Sequence, residues 1–162
     1  MNISSAGLDA LINSFNDLDR KLPEFEKRAM YKAAGLIADE LKREIDALPI
    51  QENPDGSRPW AEKGEQLTGI TTAQKADLEA GMGIAKFREE GGIISTSIGF
   101  SGKGSTKTKH GRMANSTLMR QIESGTSYRK KNPVVRRTAA KVRAQAKAAL
   151  QKEVTQSIQK EI

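Results

Sequence analysis

Glycines, hydroxyl residues and lysines alternate through GFSGKGSTKTKHG, residues 99–111, a composition that in other proteins wraps backbone amides around phosphate. A Walker-type loop needs glycine, four residues, then glycine, lysine and a serine or threonine. That spacing curls successive amides around one anion and leaves a hydroxyl for magnesium. Here only two residues separate Gly99 from Gly102-Lys103, and Gly104 stands where the hydroxyl belongs. The stretch also leads toward a strand rather than opening a helix, so no helix dipole faces an anion. The expectation is therefore not nucleotide hydrolysis but a mobile basic loop that orders on contact with a partner.

Other chemistry is thinly supplied. His110 is the only histidine and sits among Lys109, Gly111 and Arg112, with no metal partner and no carboxylate beside it. Glu89-Glu90 falls at a predicted turn, where carboxylates are solvated, and Asp39 and Glu40 read as surface charges of a helix. There is no cysteine, hence no thiolate nucleophile, disulfide or sulfur ligand for zinc. The usual acid–base and nucleophile sets cannot be assembled from these residues. The sequence is not expected to be an enzyme, and neither a cofactor nor a metal is expected.

Charge is the stronger signal. Over residues 103–147 thirteen lysines and arginines face one acidic residue, Glu123, a local charge of +12. Residues 1–102 carry −5, and the last fifteen residues balance. Such segregation implies a basic surface turned toward something negative, either nucleic acid or an acidic patch on a protein. The candidate contacts are Lys103, Lys107, Lys109, Arg112, Arg129, Lys130, Lys131, Arg136 and Arg137. The N-terminal MNISSAGLDALINSF lacks a basic n-region and a small-residue cleavage site, so it does not read as a signal peptide. No apolar run approaches the roughly 18 residues that span a bilayer, and no membrane partner is expected.

A length of 162 residues suits one domain, and 4% aromatic residues call for a core of Ala, Leu, Ile and Val. Leu8, Leu11, Ile12, Phe15 and Leu18 are spaced as a helix over residues 6–20, with Ser4 or Ser5 available as cap. Pro23 should break it and open a second helix, whose stripe is Met30, Ala34, Ile37, Leu41, Ile45 and Leu48, stopped by Pro49. Asn53-Pro54-Asp55-Gly56 signals a turn in the loop that follows, and residues 72–80 a short helix. MGIAKFREEGGIISTSIGF reads as two β-branched-rich runs joined by Glu89-Glu90-Gly91-Gly92 into a hairpin, with Ile94, Thr96, Ile98 and Phe100 on one face of the second run. TLMRQIESG reads as a third strand. Asn132 as cap and Pro133 in the first turn open a terminal helix with the stripe Val135, Ala139, Val142, Ala146, Leu150, Val154 and Ile158.

The expected fold class is thus α+β, with long N- and C-terminal helices packed against a small antiparallel β-sheet. As one domain over 1–162 it divides into a helical N-terminal part (6–48), a β-region (81–124) with a basic loop (101–116) and a C-terminal helix (133–160).

This order, helical third, β-region, then LMRQIESGTSYRKKNPVVRRTAAKVRAQAKAALQKEV, resembles the small tail-component proteins of long-tailed bacteriophages: neck, head–tail joining or tail-completion proteins. In that family a strand ends in an acidic residue, a spacer and Gly-Thr, matched by Glu123-Ser124-Gly125-Thr126, and a proline-started terminal helix follows, matched by Pro133. NPDGSRPWAEKG, residues 53–64, is similar to the Pro-Asp-Gly…Trp loop of the virion-morphogenesis proteins of contractile-tailed phages. The sequence departs from the family in having Arg120-Gln121-Ile122 where aromatics often precede the acidic position, and Pro133-Val134 where Pro-Phe often opens the helix.

The resemblance implies a structural virion protein. It would form a homo-oligomeric ring, a hexamer, joining or completing the connection between head connector and tail tube. Its partners would be neighbouring neck and tail proteins (head-closure, tail terminator or tube), with packaged DNA within reach, and its place the virion, after assembly in the host cytoplasm. The alternative is a non-specific nucleic-acid-binding protein using residues 103–147.

Overall fold

The computed structural model describes the backbone of residues 5–161 and the side chains of residues 12–161. The expected cap Ser4, and the side chains of Leu8 and Leu11, lie outside the described residues. The fold is α+β. Its elements are α1 (Ser5–Asp46), α2 (Thr72–Gly81), β1 (Met82–Ile84), β2 (Arg88–Glu90), β3 (Ile93–Ser95), β4 (Ile98–Phe100), β5 (Lys103–Thr108), β6 (Gly111–Ala114), α3 (Asn115–Ser124) and α4 (Val134–Gln159).

The first correction is at Pro23, which lies inside a single 42-residue helix rather than between two. An interior proline removes one hydrogen bond and costs about 3 kcal/mol. Continuity survives because both flanks are held: Lys21 pairs with Glu161 just before the proline, and Phe25 and Ala29 are buried just after it. Ser5 is already helical and so is not a cap. The stripe beyond Pro23 falls where its spacing puts it, with Ala34, Leu41, Ile45 and Leu48 buried and Met30 and Ile37 half-buried.

α4 lies antiparallel along α1: Lys21 meets Glu161, Lys32 meets Glu153, and Glu44 meets Arg137. The core gathers Leu41, Ile45 and Leu48 of α1 and its end, Ile70, Leu78 of α2, Leu118, Met119 and Ile122 of α3, and Val134. Met82, Ile98, Phe100 and Met113 close it from the β-region.

The strands form three separate two-stranded antiparallel ribbons, β1–β4, β2–β3 and β5–β6. The first two are one interrupted hairpin, with Met82 opposite Phe100 and Glu90 opposite Ile93 across Gly91-Gly92, whose φ angles of 58° and 77° suit a two-residue turn. Ile94, Thr96, Ile98 and Phe100 are half-buried while Ile93, Ser95 and Ser97 are exposed, as the alternation requires.

The second correction concerns TLMRQIESG, which is helix α3 and not a strand. Strand alternation would separate Leu118 and Ile122 from Met119. A helix brings positions i, i+1 and i+4 to one side, and all three are buried.

The third concerns the start of α4. Val134 and Thr138 are buried, whereas Val135 and Ala139 are exposed; from Val142 onward the expected stripe is the buried or half-buried one. Two adjacent valines are equivalent as sequence, and the choice is made by Asn132, whose amide donates to Ile122 O at 2.8 Å and fixes the entry angle. Thr138 tolerates burial because its hydroxyl donates to Val134 O at 2.9 Å.

Candidate functional site

The stretch 99–111 has the form of strands and turns rather than of a phosphate loop. It is the end of β4, a turn, and the whole of β5 entering β6. The basic loop expected over residues 101–116 is therefore mostly a β-hairpin, with Lys107 opposite Arg112 and Thr108 opposite Gly111.

Its glycines have structural duties. Gly102 and Gly111 take φ of 77° and 104°, in the region where side chains are strained. Gly104 is wedged against α2, where an added Cβ would lie 2.6 Å from Asp77 Oδ2 and 2.8 Å from Asn115 Oδ1. That close approach lets Ser105 donate from its amide and its hydroxyl to Asp77 Oδ2, both at 2.6 Å. Gln74 Nε2 donates to Thr106 Oγ1 at 2.9 Å, and Asn115 Nδ2 donates to Asp77 O and Ser101 O at 3.0 and 2.8 Å. α2 is itself fixed by a capping box, Gln74 N to Thr71 Oγ1 at 3.1 Å and Thr71 N to Gln74 Oε1 at 3.3 Å. A capped helix thus holds the ribbon through Asp77 and Gln74, and Asn115 of α3 ties α2 to the turn before β5.

The ribbon presents Lys103, Lys107, Lys109 and Arg112, all exposed and none in an ion pair among the described residues. Lys107 and Arg112 face each other directly across the strands, an arrangement that like charges destabilise. Beside Lys107 a cleft of about 380 Å³ opens against the loop that carries Arg58 and Trp60. Trp60 is 88% exposed, and the Arg58 guanidinium lies 6.0 Å from its ring centre and 5.1 Å from that of Tyr128. Neither Arg58 nor Trp60 is a candidate on sequence grounds. Their only signal there is the lone tryptophan in the turn-rich loop, which by itself does not tell core from surface.

The remaining candidates divide. Lys130 and Lys131 are exposed. Arg129 is buried: its Nη1 donates to Gly69 O at 2.6 Å, and burial pushes its guanidinium below the usual arginine value. Its segment is stitched to residues 67–69 by Leu67 N to Tyr128 O and Lys130 N to Leu67 O, both 2.9 Å, so Arg129 joins the two segments rather than reaching outward. Arg136 contacts Glu123 at 3.4 Å, and Arg137 contacts Glu44 at 2.8 Å and Asn132 Oδ1 at 3.2 Å. Part of the charge segregation seen in the sequence is therefore consumed inside the chain, between acidic α1 and basic α4.

Glu40 belongs to this seam and is a correction, being buried rather than a surface charge. It pairs with Lys141 and with Arg43 at 3.2 Å. The bonded Lys141 ammonium holds its carboxyl below the ordinary glutamate value against the opposing effect of burial, and Arg43 adds to the lowering. Asp39 is exposed, as expected.

The motif Glu123-Ser124-Gly125-Thr126 acquires a physical meaning. Val135 N and Arg136 N donate to the Glu123 carboxylate at 2.8 and 3.3 Å, so this glutamate caps α4 from outside. The expected cap, Asn132, makes no capping bond, and Pro133 stands at the cap position rather than in the first turn. Gly125, at φ 75°, packs so closely that a Cβ would meet Lys131 N at 3.0 Å.

His110 occupies the β5–β6 turn, where its amide donates to Thr108 Oγ1 at 3.2 Å. Glu89 and Glu90 stand in strand β2 and not in the turn, which Gly91-Gly92 make alone; both are exposed, and Glu89 contacts Lys27 at 3.4 Å. Among the described residues no group of three or more His, Cys, Asp or Glu side chains is placed to hold a metal ion, and no helix is long and apolar enough to cross a membrane. No family model, no curated protein and no solved structure matches the chain.

Proposed function

We propose that this protein is a structural component of the neck or tail of a long-tailed bacteriophage, completing the head–tail connection as a ring with six-fold symmetry. The observation that carries the reading is the pinned ribbon β5–β6, which holds four unpaired cations outward on a rigid base. A cross-strand Lys107–Arg112 pair costs stability in the free chain, and an acidic partner relieves that cost. In an assembled neck the partner is an acidic rim of a neighbouring subunit or tube protein, with packaged DNA as a further source of negative charge. The resemblance of residues 53–64 and 123–133 to tail-component proteins supplies the setting, the virion, reached by assembly in the host cytoplasm.

The test is copy number: quantitative mass spectrometry of purified virions of the source phage is expected to find a small multiple of six copies per particle. Absence from virions, with the chain abundant in infected cells, overturns the reading. The same cations support a second one, non-specific nucleic-acid binding, which takes first place if the chain binds duplex DNA at micromolar concentration and physiological salt.

A further inference from the structure

In the register of α1 against α4, the first part of α1 extends beyond α4. Lys21 already meets Glu161, beyond the last turn of α4, so residues 5–20 of α1 run past it, about 24 Å at 1.5 Å per residue. This overhang is amphipathic: Leu8, Leu11, Ile12, Phe15 and Leu18 recur at steps of three and four. Of its described side chains only Leu18 is half-buried; Ile12 is 48% and Phe15 61% exposed. An isolated helical arm of this length is marginal in water without tertiary packing.

The same molecule carries an apolar groove with no occupant of its own. It measures about 730 Å³ and is lined by Met30 of α1, Ile93 and Ile94 at the β2–β3 tip, and Leu150 and Val154 of α4, with Glu26 at its edge. Ile93 is 71% exposed there. A chain cannot fill this groove with its own arm, because Phe15 and Met30 stand on one helix about 22 Å apart.

Charge matches arm to groove. Residues 5–20 carry Asp9, Asp17 and Asp19 against the single cation Arg20, which pairs with Asp17, a net charge of −2. The one charged residue lining the groove is Glu26, but on α4 Lys147 stands three residues before Leu150 and Arg143 four before Lys147, both exposed and in no ion pair among the described residues. An acidic amphipathic helix thus has, on another copy of the same chain, an apolar groove with a basic approach.

We infer that the overhanging arm, residues 5–20, docks into the Met30–Ile93–Leu150–Val154 groove of a second copy. Arm and groove are different patches, so the contact is head-to-tail and propagates around a closed ring. This deepens the proposed function and rests on its oligomeric part. Phe15 is the anchor, an aromatic entering an apolar pocket, and the aspartates set direction and encounter rate.

The absence of cysteine makes the test clean. Asn16→Cys, which leaves the Phe15 anchor in place, and Thr155→Cys are made separately in the full chain, mixed and oxidised; both positions are exposed. The expected result is a disulfide between the two variants and none when either is oxidised alone. A mixture that stays unlinked overturns the contact. So does Asn16→Cys linking to itself as readily as to Thr155→Cys, which would mean arm-to-arm pairing. Independently, Phe15→Asp is expected to weaken self-association about tenfold or more by sedimentation, with Tm unchanged at concentrations where the wild type is monomeric; unchanged association overturns the proposal. Virions holding a multiple of six copies while the mixture stays unlinked leave the ring reading intact and sink this contact alone. A formed disulfide with no copies in virions sinks the phage reading and keeps the contact.

Discussion

Glu40 is a carboxylate taken out of water between Lys141 and Arg43, and its titration is a measure of that environment. Its folded pKa lies below the ordinary value of about 4.5, chiefly through the bonded Lys141. The stabilisation is therefore present above pH about 4.5 and is lost as pH falls through the lower, folded value. Glu153, lowered by its bond from Lys32, contributes with the same sign. Tm is expected to fall on acidification below that point, and Glu40→Gln to flatten the fall; a parallel curve for the variant would show that the Lys141 bond contributes nothing. A second residue-scale prediction compares two glycines of the opening stretch. Gly104→Ala pushes a methyl against Asp77 and Asn115 and is expected to cost about 1–3 kcal/mol in urea denaturation. Gly99→Ala meets nothing within 4 Å and is expected to be tolerated, so equal losses at both positions would refute the docking of β5 on α2.

At the scale of elements, caps and breakers explain where helices begin and why one continues. α4 starts under a carboxylate supplied by α3, so Glu123→Ala is expected to destabilise by about 0.5–2 kcal/mol and Asn132→Ala by less. The reverse order in thermal melts would return the cap to Asn132. Pro23 costs α1 a hydrogen bond, and Pro23→Ala is expected to raise helix content and Tm, the gain reaching at most about 3 kcal/mol. These two sites also show why element boundaries are only partly legible in the sequence. The apolar period of α1 beyond Pro23 is strong enough to place its buried face correctly. The continuity of the helix across the proline is not legible there, since it goes with the burial of Phe25 and Ala29 by other parts of the fold. The expected third strand fails for a related reason, since a short run with three apolar side chains satisfies both periods until its neighbours choose.

Across the whole molecule, charge is partitioned between two uses. α1 and α4 neutralise one another along their length, through Glu44 with Arg137, Glu40 with Lys141 and Lys32 with Glu153. The β5–β6 ribbon keeps its cations free. Replacing Lys103, Lys107, Lys109 and Arg112 together by Gln is therefore expected to leave stability nearly unchanged, within about 0.5 kcal/mol per site. If the ribbon meets duplex DNA, the same variant lowers the salt slope of binding by about 0.9 for each phosphate it no longer neutralises. Retained binding with an unchanged slope would move the DNA-facing surface to Lys130, Lys131 or α4. Nine candidate side chains are legible as a basic run in the sequence. Which of them stay available is not, because Arg129, Arg136 and Arg137 are claimed by Gly69, Glu123 and Glu44, which lie from 13 to 93 residues distant.

By itself the sequence determined the α+β class, the two faces of the run through β3 and β4, the buried stripe of α1 beyond Pro23, the short helix near residues 72–80 and the failure of residues 99–111 to meet the geometry of a phosphate loop. These are local properties, set by side-chain period, turn chemistry and spacing within a few residues. Tertiary structure alone decided that α1 is unbroken, that residues 115–124 are helix, that Val134 rather than Val135 enters the core, that Glu40 and Arg129 are buried, and that the glycines of residues 99–111 serve close packing and turns. Each of those outcomes depends on a hydrogen bond, ion pair or packing contact to a distant part of the chain, and a one-dimensional pattern carries no record of which distant groups will meet.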